Sequence, residues 1–323
     1  MSYIRKKAIN GKLYNYLVKS VKMPDGQTKK IMKLLGSKEK NLSLRKLESK
    51  YKDYFIEKEA EFNTKYSIKN FIKNNVFSEE EIGKLERIKV EYKQLIRKLN
   101  KARLKDIFDR FVVNFTYNSN AIEGNSLTLK DVRIVIYENS VVKGKELREI
   151  YETRNSRKVM DMVLSKKFDV SSKGIIKMHK VLMKDIDVRT GYKKIPNVIL
   201  SAGREIKTTP PEKVEKEMNF LIDLYNENKG KMHPLELASI FHGRFEKIHP
   251  FEDGNGRVGR FLINIILVKN HYPPLIVRTT VRKAYMSCLQ AFDNGHEDKL
   301  KRFLVEKYKE TFRKFFEIYV KYV

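Results

Sequence analysis

The stretch that decides the fold of this chain is His249-Pro250-Phe251-Glu252-Asp253-Gly254-Asn255-Gly256-Arg257-Val258-Gly259-Arg260, called the signature loop below. Apolar residues at helical spacing flank it: Leu237, Ile240, Phe241 and Phe245 before it, and Val258, Phe261, Leu262, Ile265 and Ile266 from its end onward. Residues that recur at i, i+3 and i+4 form one apolar face of a helix. The sequence therefore predicts a loop between two helices of the core.

This loop carries residue types that bind an anion. Gly254 and Gly256 can adopt backbone conformations closed to other residues, so successive N–H groups can converge on one anion at the start of the second helix. The N-terminus of that helix adds a positive potential. Arg257 and Arg260 are three residues apart, which places both guanidinium groups on one helix face. The pattern predicts a polyphosphate site.

Two further residues of the loop suit transfer chemistry. Asp253 lies at its rim, and the Mg²⁺ that accompanies a nucleoside triphosphate prefers one or two carboxylates plus phosphate oxygens. His249 ends the preceding helix, and an ordinary imidazole, with a pKa of about 6.5, can accept a hydroxyl proton at neutral pH. The chain has no Gly-x-x-x-x-Gly-Lys-Ser/Thr sequence, which argues against a P-loop kinase or ATPase.

The loop also resembles the signature of a known family. All nine fixed positions of the Fic signature, His-Pro-Phe-x-Asp-Gly-Asn-Gly-Arg-x-x-Arg, are present at residues 249–260. The resemblance implies a nucleotidyltransferase, most often an enzyme that moves AMP from ATP to a Ser, Thr or Tyr hydroxyl of a protein and releases pyrophosphate. It implies that His249 is the base, that Asp253 binds Mg²⁺ and that Phe251 anchors the loop. The implied phosphate-binding residues are Gly254, Asn255 and Gly256 for the α and β phosphates, and Arg257 and Arg260 for the β and γ phosphates.

A second motif lies upstream, at the end of a predicted helix. Ser119-Asn120-Ala121-Ile122-Glu123-Gly124 resembles the Ser/Thr-x-x-x-Glu-Gly/Asn pattern of Fic proteins whose inhibitory glutamate pairs with the second arginine of the signature. Ser119 and Glu123 are four residues apart and share one helix face. The resemblance implies an inhibitory helix near residues 107–124, with Glu123 held against Arg260. A surface carboxylate at a helix C-terminus, followed by a Gly cap, is the structural alternative.

A β-hairpin is predicted at residues 194–209, with Ala202-Gly203 at its turn. It resembles the Fic flap, whose edge strand pairs with an extended segment of the target protein, so an unidentified protein acceptor is expected to dock there. A surface hairpin without a partner is the alternative. Gly191-Tyr192 before the hairpin also fits the family, but the Arg that commonly follows is replaced by Lys193-Lys194.

The first 50 residues predict a small basic sheet. Asn10-Gly11 favours a type I′ hairpin turn, Pro24-Asp25-Gly26 a second turn, and the apolar run at 31–35 a third strand. This segment carries 14 basic and three acidic residues, a net charge of +11. Either it binds nucleic acid or an acidic partner, or it is a solvated basic face on a sheet that packs against the rest.

The predicted architecture is mostly α: a Fic-fold helical bundle with an inserted β-hairpin flap, preceded by a three-stranded β-meander. We expect residues 1–50 to form the basic meander, 51–105 a charged helical connector and 106–323 the Fic domain. Within that domain, helices are predicted at residues 107–121, 128–137, 145–164, 172–183, 211–227, 234–248, 257–270, 282–294 and 298–320.

Composition limits the function classes. The 323 residues include 68 Lys+Arg against 40 Asp+Glu, and the formal net charge of +28 predicts attraction to polyanions. With 41% hydrophobic residues the chain can bury a core, and its longest apolar run is far shorter than the ~20 residues of a membrane span, so no membrane partner is expected. A single cysteine, Cys288, and a start without an apolar signal segment predict a cytoplasmic protein.

These features predict an autoinhibited, Mg²⁺-dependent protein adenylyltransferase that uses ATP. Removal of AMP with Glu123 orienting a water, self-modification and a homodimer stay open. Transfer of another phosphate-containing group, such as UMP, phosphate or phosphocholine, is the alternative among enzymes. A regulator that binds nucleic acid through the basic N-terminus is the alternative from another class.

Overall fold

The computed structural model of the chain describes residues 2–36, 39, 41, 43–201 and 204–320. Contacts divide the chain into two compact units, the first comprising residues 1–73 and 77–91 and the second residues 74–76 and 92–323. Every helix in the described part is too short or too polar to cross a membrane.

The first unit begins with a three-stranded antiparallel sheet in the order β1-β2-β3. Its strands are β1 (Ser2–Ile9), β2 (Lys12–Lys22) and β3 (Thr28–Leu34). Asn10 has φ 50° and Gly11 has φ 74°, the two left-handed residues that a type I′ turn requires. The predicted meander is confirmed. Its third strand begins before the apolar run, because cross-strand pairing with β2 extends to Thr28.

Three helices follow the sheet: α1 (Leu44–Lys50), α2 (Lys52–Asn70) and α3 (Glu79–Lys98). One face of the sheet carries Leu17, Val21 and Ile31, which pack with Leu47 of α1 and Phe55 of α2 in a buried cluster. A three-stranded sheet needs such an apolar face or a helix partner for stability. The opposite face of the sheet carries exposed basic side chains around Val18, which is itself buried.

The second unit is a helical bundle, and its helices are α4 (Lys101–Ile122), α5 (Leu129–Arg133), α6 (Leu147–Leu164), α7 (Ser172–Leu182), α8 (Pro211–Asn228), α9 (Pro234–Ile248), α10 (Asn255–Lys269), α11 (Arg282–Asp293), α12 (Glu297–Phe312) and α13 (Ile318–Val320). Wide π-helical turns at Ile134–Glu138 and Arg313–Glu317 extend α5 and α12, and a 3₁₀ turn at Thr279–Val281 precedes α11. The mostly helical fold predicted from the sequence is confirmed.

Helices α9 and α10 form the centre of this bundle. They pack on each other, α9 also contacts α8, α11 and α12, and α10 also contacts α6 and α7. Nearly every residue of both helices is buried, including several polar ones, so both helices lie in the interior of the bundle. The signature loop leaves α9 at His249 and enters α10 at Asn255, so two buried helices fix both of its ends.

The predicted hairpin is present as β4 (Val198–Ser201) paired antiparallel with β5 (Arg204–Lys207). Its predicted turn, Ala202-Gly203, lies outside the described residues. The first strand begins at Val198 rather than at the predicted Lys194. The reason is that the preceding segment hydrogen-bonds to the signature loop, where the Lys193 N–H donates to Pro250 O at 2.8 Å.

Candidate active site

The signature loop starts in a strained conformation and is anchored from inside the protein. His249 has φ 50° and ψ 61°, in the left-handed region that non-glycine residues rarely enter. Phe251 is fully buried, and its ring stacks on His179 with the ring centroids 3.8 Å apart. Asn255 Nδ2 donates to Phe251 O at 2.7 Å, and Asn255 Oδ1 accepts from the Phe251 N–H at 2.8 Å. The Asn255 side chain thus clamps the loop, which leaves its main-chain N–H as the group available to a phosphate.

Two of the three glycines of the signature loop, Gly254 and Gly256, have different physical roles. Gly254 caps α10 with φ 82°, a conformation that favours glycine. Gly256 lies inside α10 with helical geometry, so the expectation of a special backbone conformation is wrong for this residue. A Cβ atom on Gly256 would lie 2.2 Å from Glu123 Oε1. Gly256 is therefore needed for the close approach of Glu123 and not for its backbone angles.

Arg257 is buried on the first turn of α10, between two carboxylates. The residue is 2% exposed. Its Nη1 lies 3.2 Å from Glu152 Oε1 of α6, and its Nη2 lies 3.5 Å from Asp253 Oδ1. Neither Nε nor Nη1 has a hydrogen-bond acceptor of suitable geometry among the described residues. Because burying a guanidinium is costly unless its donors are used, these groups suit an anionic ligand.

Arg260, one turn further along α10, is also 2% exposed and is held by the end of α4. Its Nη2 donates to Glu123 Oε1 at 2.7 Å and to Ser119 O at 2.8 Å, and its Nε donates to Ser119 Oγ at 3.0 Å. Within the described chain its Nη1 has no acceptor. Glu123 is itself 36% exposed, so its side chain can leave Arg260 without opening the core.

A buried polar cluster beside Arg260 has no counterpart in the sequence predictions. His242 and Glu246 lie one turn apart on α9, and His242 Nε2 is 2.6 Å from the hydroxyl of Tyr285 in α11. Burial lowers the pKa of His242 to about 3. Burial also raises the pKa of Glu246 to about 8, against the opposing charge of Arg260. Two polar residues four positions apart among the buried residues of α9 are the signal that could have revealed this cluster.

His249 has the tautomer that a general base requires. Its Nδ1 lies 3.3 Å from Glu246 O. Since a carbonyl oxygen only accepts, Nδ1 carries the proton and Nε2 keeps its lone pair. Burial lowers the pKa of His249 to about 4, and the Lys193 charge acts in the same direction. The imidazole is therefore neutral at pH 7 and able to accept a proton at Nε2.

Asp253 is a partly exposed carboxylate held by several donors. Its Oδ1 accepts from the Gly254 N–H at 2.5 Å, and its Oδ2 accepts from Arg148 Nη2 of α6. Burial opposes ionisation of this group. The charge of Arg257, the Gly254 N–H and Arg148 together outweigh burial and lower the pKa of Asp253. The carboxylate is therefore charged at pH 7.

The donor set at Asp253 fits Mg²⁺ carried by a triphosphate better than Mg²⁺ alone. Among the described residues no three His, Cys, Asp or Glu side chains form a cluster that could hold a metal ion. Mg²⁺ commonly takes one or two carboxylates and completes its shell with phosphate oxygens and water. Asp253 opens on a cavity of about 510 Å³ that Glu123, Arg148, Glu152 and Arg257 also line. Asp253 is the carboxylate that would hold such an ion.

Two residues that were not among the predicted site residues tie the flap to the signature loop. Lys193 is 3% exposed, and its Nζ donates to Asn197 Oδ1 at 2.7 Å and to Thr208 Oγ1 at 2.6 Å. Burial lowers the pKa of Lys193 to about 8. Asn197 Nδ2 donates to Phe251 O at 2.9 Å. The position of the flap is thus set by the loop that carries His249.

Comparison with known proteins shows which family this region is similar to. Residues 169–267 match the Fic/DOC family model. The chain is 33% identical over 185 residues to "Protein adenylyltransferase Fic" of Nematostella vectensis, which covers 55% of this chain and 43% of that protein. It is 31% identical over 188 residues to "Protein adenylyltransferase fic-1" of Caenorhabditis elegans, which covers 56% of this chain and 36% of that protein. The matched region thus spans less than half the length of these curated relatives.

Solved structures share the fold. A Fic domain containing signaling protein from Bacteroides thetaiotaomicron has a TM-score of 0.67 at 26% identity, covering 73% of this chain and 95% of that chain. A Fic family protein from Desulfovibrio desulfuricans has a TM-score of 0.60 at 26% identity, covering 76% of this chain and 75% of that chain. The match to a Fic domain therefore rests on residues 169–267 and on the shared fold, and the N-terminal sheet lies outside the part that the family model matches.

Proposed function

We propose that this protein is an autoinhibited protein adenylyltransferase, which transfers AMP from ATP to a Ser, Thr or Tyr hydroxyl of a protein. One observation carries the proposal: Arg260 of the signature loop is buried and held by Glu123 and Ser119 of the preceding helix. We assign the catalytic segment to residues 106–323 and expect the acceptor to pair with the flap. The single cysteine, Cys288, a free and partly buried thiol, fits a cytoplasmic location.

In the proposed reaction the acceptor hydroxyl gives its proton to His249 Nε2 while its oxygen attacks the α-phosphorus of ATP. The bond between the α-phosphorus and the oxygen that bridges to the β-phosphate breaks, and pyrophosphate leaves. Transfers of this kind depend mainly on positioning and on charge neutralisation. The N-terminus of α10 and the guanidinium groups of Arg257 and Arg260 supply positive charge for the phosphates. Mg²⁺ at Asp253 neutralises further phosphate charge when it is bound.

Glu123 restrains this reaction by competing for Arg260. Its Oε1 lies 2.7 Å from Arg260 Nη2, the donor proposed to bind the γ-phosphate. With Arg260 occupied, ATP binds without the clamp that aligns its α-phosphorus with the acceptor. The same carboxylate, once displaced, can orient a water molecule against a modified hydroxyl. Hydrolytic removal of AMP is therefore proposed as a second activity of the site.

The test uses ATP labelled at the α or, separately, at the γ phosphate. Wild type, Glu123→Gly and Glu123→Gly/His249→Ala are incubated with Mg²⁺ and labelled ATP, and protein-bound label is counted, first on the protein itself and then on extract proteins. We expect α label only, strong in Glu123→Gly, weak in wild type and absent in the double variant. Glu146→Gly is the matched control, because Glu146 lines the same cavity without contacting Arg260.

Other outcomes separate the alternatives. Equal labelling of wild type and Glu123→Gly would refute autoinhibition by Glu123 while leaving the transferase proposal intact. Label from the γ phosphate would replace adenylyl transfer by phosphoryl transfer. Label from α-labelled UTP in preference to ATP would change the transferred group to UMP.

A second candidate function rests on the outer face of the N-terminal sheet, the face opposite the Leu17 cluster. Residues directly opposite each other in the register share a face of the sheet. By this register the outer face carries five exposed cations and no acidic residue, the cations being Arg5, Lys7, Lys12, Lys22 and Lys30. Tyr16 lies opposite Arg5, and Tyr14 lies opposite Lys7. Cations that alternate with aromatic rings suit single-stranded nucleic acid, because the phosphates pair with the cations and the bases stack on the rings.

Anisotropy of a fluorescent single-stranded DNA oligonucleotide, titrated at several salt concentrations, tests this candidate. We expect Arg5→Ala/Lys7→Ala to weaken binding and to reduce the slope of log K against log salt by about one per lost phosphate contact. Lys65→Ala/Lys69→Ala, which removes two exposed cations from α2, is the matched control. Equal affinity of the two double variants, or preference for a duplex of the same sequence, would contradict the assignment. Binding should be indifferent to His249→Ala.

A further inference from the structure

Arg148, at the second position of α6, lies against the carboxylate that the proposed reaction needs for Mg²⁺. Its Nη2 donates to Asp253 Oδ2, and its Nε donates to Glu152 Oε1 at 3.3 Å. Arg148 lines the same cavity as Asp253 and Arg257. It belongs neither to the signature loop nor to the Ser119–Glu123 motif, and the proposed mechanism does not use it.

Arg148 and a divalent cation compete for one group. Asp253 Oδ1 already accepts from the Gly254 N–H at 2.5 Å, so Oδ2 is its other coordinating oxygen. A guanidinium donor and a metal ion use the same carboxylate lone pairs. The positive charge of Arg148 also repels a second cation at this distance. Binding of Mg²⁺ at Asp253 Oδ2 is therefore weakened while the Arg148 contact is in place.

The Arg148 side chain is placed to make that movement. It is 52% exposed, whereas the two signature arginines are buried. Glu152 gives it a second acidic partner that it can keep after it leaves Asp253. A half-exposed ion pair of this kind is weak enough to be displaced by a divalent cation.

We propose that Arg148 is a positioning residue that latches Asp253 and so sets the affinity of the site for ATP with Mg²⁺. The inference rests on the proposed function, since it assumes that ATP binds in this cavity. It adds a second restraint to the first: Glu123 occupies the arginine for the γ-phosphate, and Arg148 occupies the carboxylate for the metal. Entry of metal-bound nucleotide releases the latch.

The latch predicts an unusual change in affinity for ATP with Mg²⁺ when Arg148 is removed, because removing a cation from an anion-binding site ordinarily weakens binding. If Arg148 were a direct phosphate ligand, or if it only held the local structure, Arg148→Ala would weaken the binding of ATP with Mg²⁺. If Arg148 latches Asp253, the same substitution frees the carboxylate and tightens that binding. The two roles predict changes of opposite sign.

Titration calorimetry of ATP, with Mg²⁺ and with EDTA, measures this sign directly and does not depend on turnover. The full chain is used in the Glu123→Gly/His249→Ala background, which lacks the proposed base and is therefore expected not to consume ATP. We expect Arg148→Ala to raise the affinity for ATP with Mg²⁺ by about threefold, the size of a half-exposed ion pair. The affinity for ATP in EDTA is expected to stay the same or to fall.

Arg189→Ala is the matched control. Arg189 is similarly exposed at 59% and pairs with Glu252 of the same loop at 2.6 Å, and its ion pairs do not include Asp253. Its loss should leave the affinity for ATP with Mg²⁺ unchanged or slightly lower. An affinity for ATP with Mg²⁺ that stays constant or falls in Arg148→Ala overturns the latch. Absence of ATP binding in the parent background would instead refute the proposed function.

Discussion

The signature loop and the outer face of the N-terminal sheet both concentrate positive charge, and they place it in opposite environments. Arg257 and Arg260 are each 2% exposed and lie within 3.2 Å and 2.7 Å of a carboxylate oxygen. Arg5 and Lys7 of the sheet are exposed. Charges in a low-dielectric interior interact strongly with specific partners, whereas exposed charges are screened by salt. From this difference we expect one ligand in one orientation at the loop and polyanions in general at the sheet.

The largest effect on the reaction rate is expected at His249, the proposed general base. In the Glu123→Gly background, His249→Ala should lower the initial rate of adenylyl transfer by at least about 100-fold, because a positioned general base contributes about 10² to 10⁴. The rate is measured as α-phosphate label incorporated per minute. His296→Ala, which removes an exposed histidine of the same unit, is the control and should retain the rate. A rate in His249→Ala equal to that control would remove His249 from the mechanism.

Alanine substitutions at Gly259 and Gly256 should differ in their effect on stability, because the two glycines face different side chains. A Cβ on Gly259 would lie 2.4 Å from Glu246 Oε1 and 2.8 Å from His242 Cε1, both buried. A Cβ on Gly256 would meet chiefly the partly exposed end of Glu123, with the buried Arg260 Nη1 further away at 3.1 Å. We expect Gly259→Ala to lower the free energy of unfolding by about 1–3 kcal/mol and Gly256→Ala to change it much less. Urea denaturation of both variants checks this, and equal losses would contradict it.

Acid should destabilise the loop region through His249. Burial lowers the pKa of His249 from 6.5 to about 4, so the unfolded chain binds the proton more tightly than the folded protein does. The stability that this group contributes is fully present above pH 6.5 and is lost as the pH falls towards 4. We expect wild type to lose about 0.5–1 kcal/mol more per pH unit than His249→Ala in that window. Urea midpoints of both proteins at several pH values measure this. If His249 were not buried in the folded protein, the two plots of midpoint against pH would be parallel, which would contradict the prediction.

A smaller effect is expected from the lysine that ties the flap to the loop. The Lys193 charge contributes to the low pKa of His249, so Lys193→Met should raise that pKa by a fraction of a unit. Loss of the Nζ hydrogen bonds to Asn197 and Thr208 should also speed amide exchange in β5. Lys194→Met, at the exposed neighbouring lysine, should do neither. NMR titration of the histidine and hydrogen exchange measure the two effects, and identical results for both variants would contradict the anchoring role.

The smallest effect on stability is expected at the sheet. Arg5→Ala/Lys7→Ala should change the free energy of unfolding by less than about 0.5 kcal/mol, because exposed charges contribute little to folding. Urea denaturation measures this change. A loss above about 1 kcal/mol would mean that these cations help to hold the sheet, and would weaken the contrast with the loop.

Where the local pattern was strong, the elements followed from sequence alone. The helix predicted at 234–248 is observed at Pro234–Ile248, because its apolar period is unbroken and Pro234 marks its first turn. The Asn10-Gly11 turn is also found as predicted, since few other residue pairs accept two positive φ angles. The wide turn at Arg313–Glu317 was not predicted, because an insertion in the hydrogen-bond ladder leaves the apolar spacing nearly unchanged.

The chemical types of the candidate site were likewise readable in the sequence, because a base, a carboxylate, two glycines and two arginines lie within twelve consecutive residues. How these residues are packed and paired could not be predicted from the sequence. That Asn255 clamps the loop, that Gly256 matters for space, and that His242 and Glu246 are buried beside Arg260 all depend on packing between helices.

The sequence by itself determined a mostly helical Fic fold with a loop, predicted to bind phosphate, between two core helices, because periodicity, turn residues and the signature are local properties of the chain. Only the tertiary structure decided how the charges of that loop are paired. Arg260 pairs with Glu123, 137 residues away, and Asp253 pairs with Arg148, 105 residues away. Burial, pKa and ion pairing depend on distance through space, which spacing along the chain does not encode.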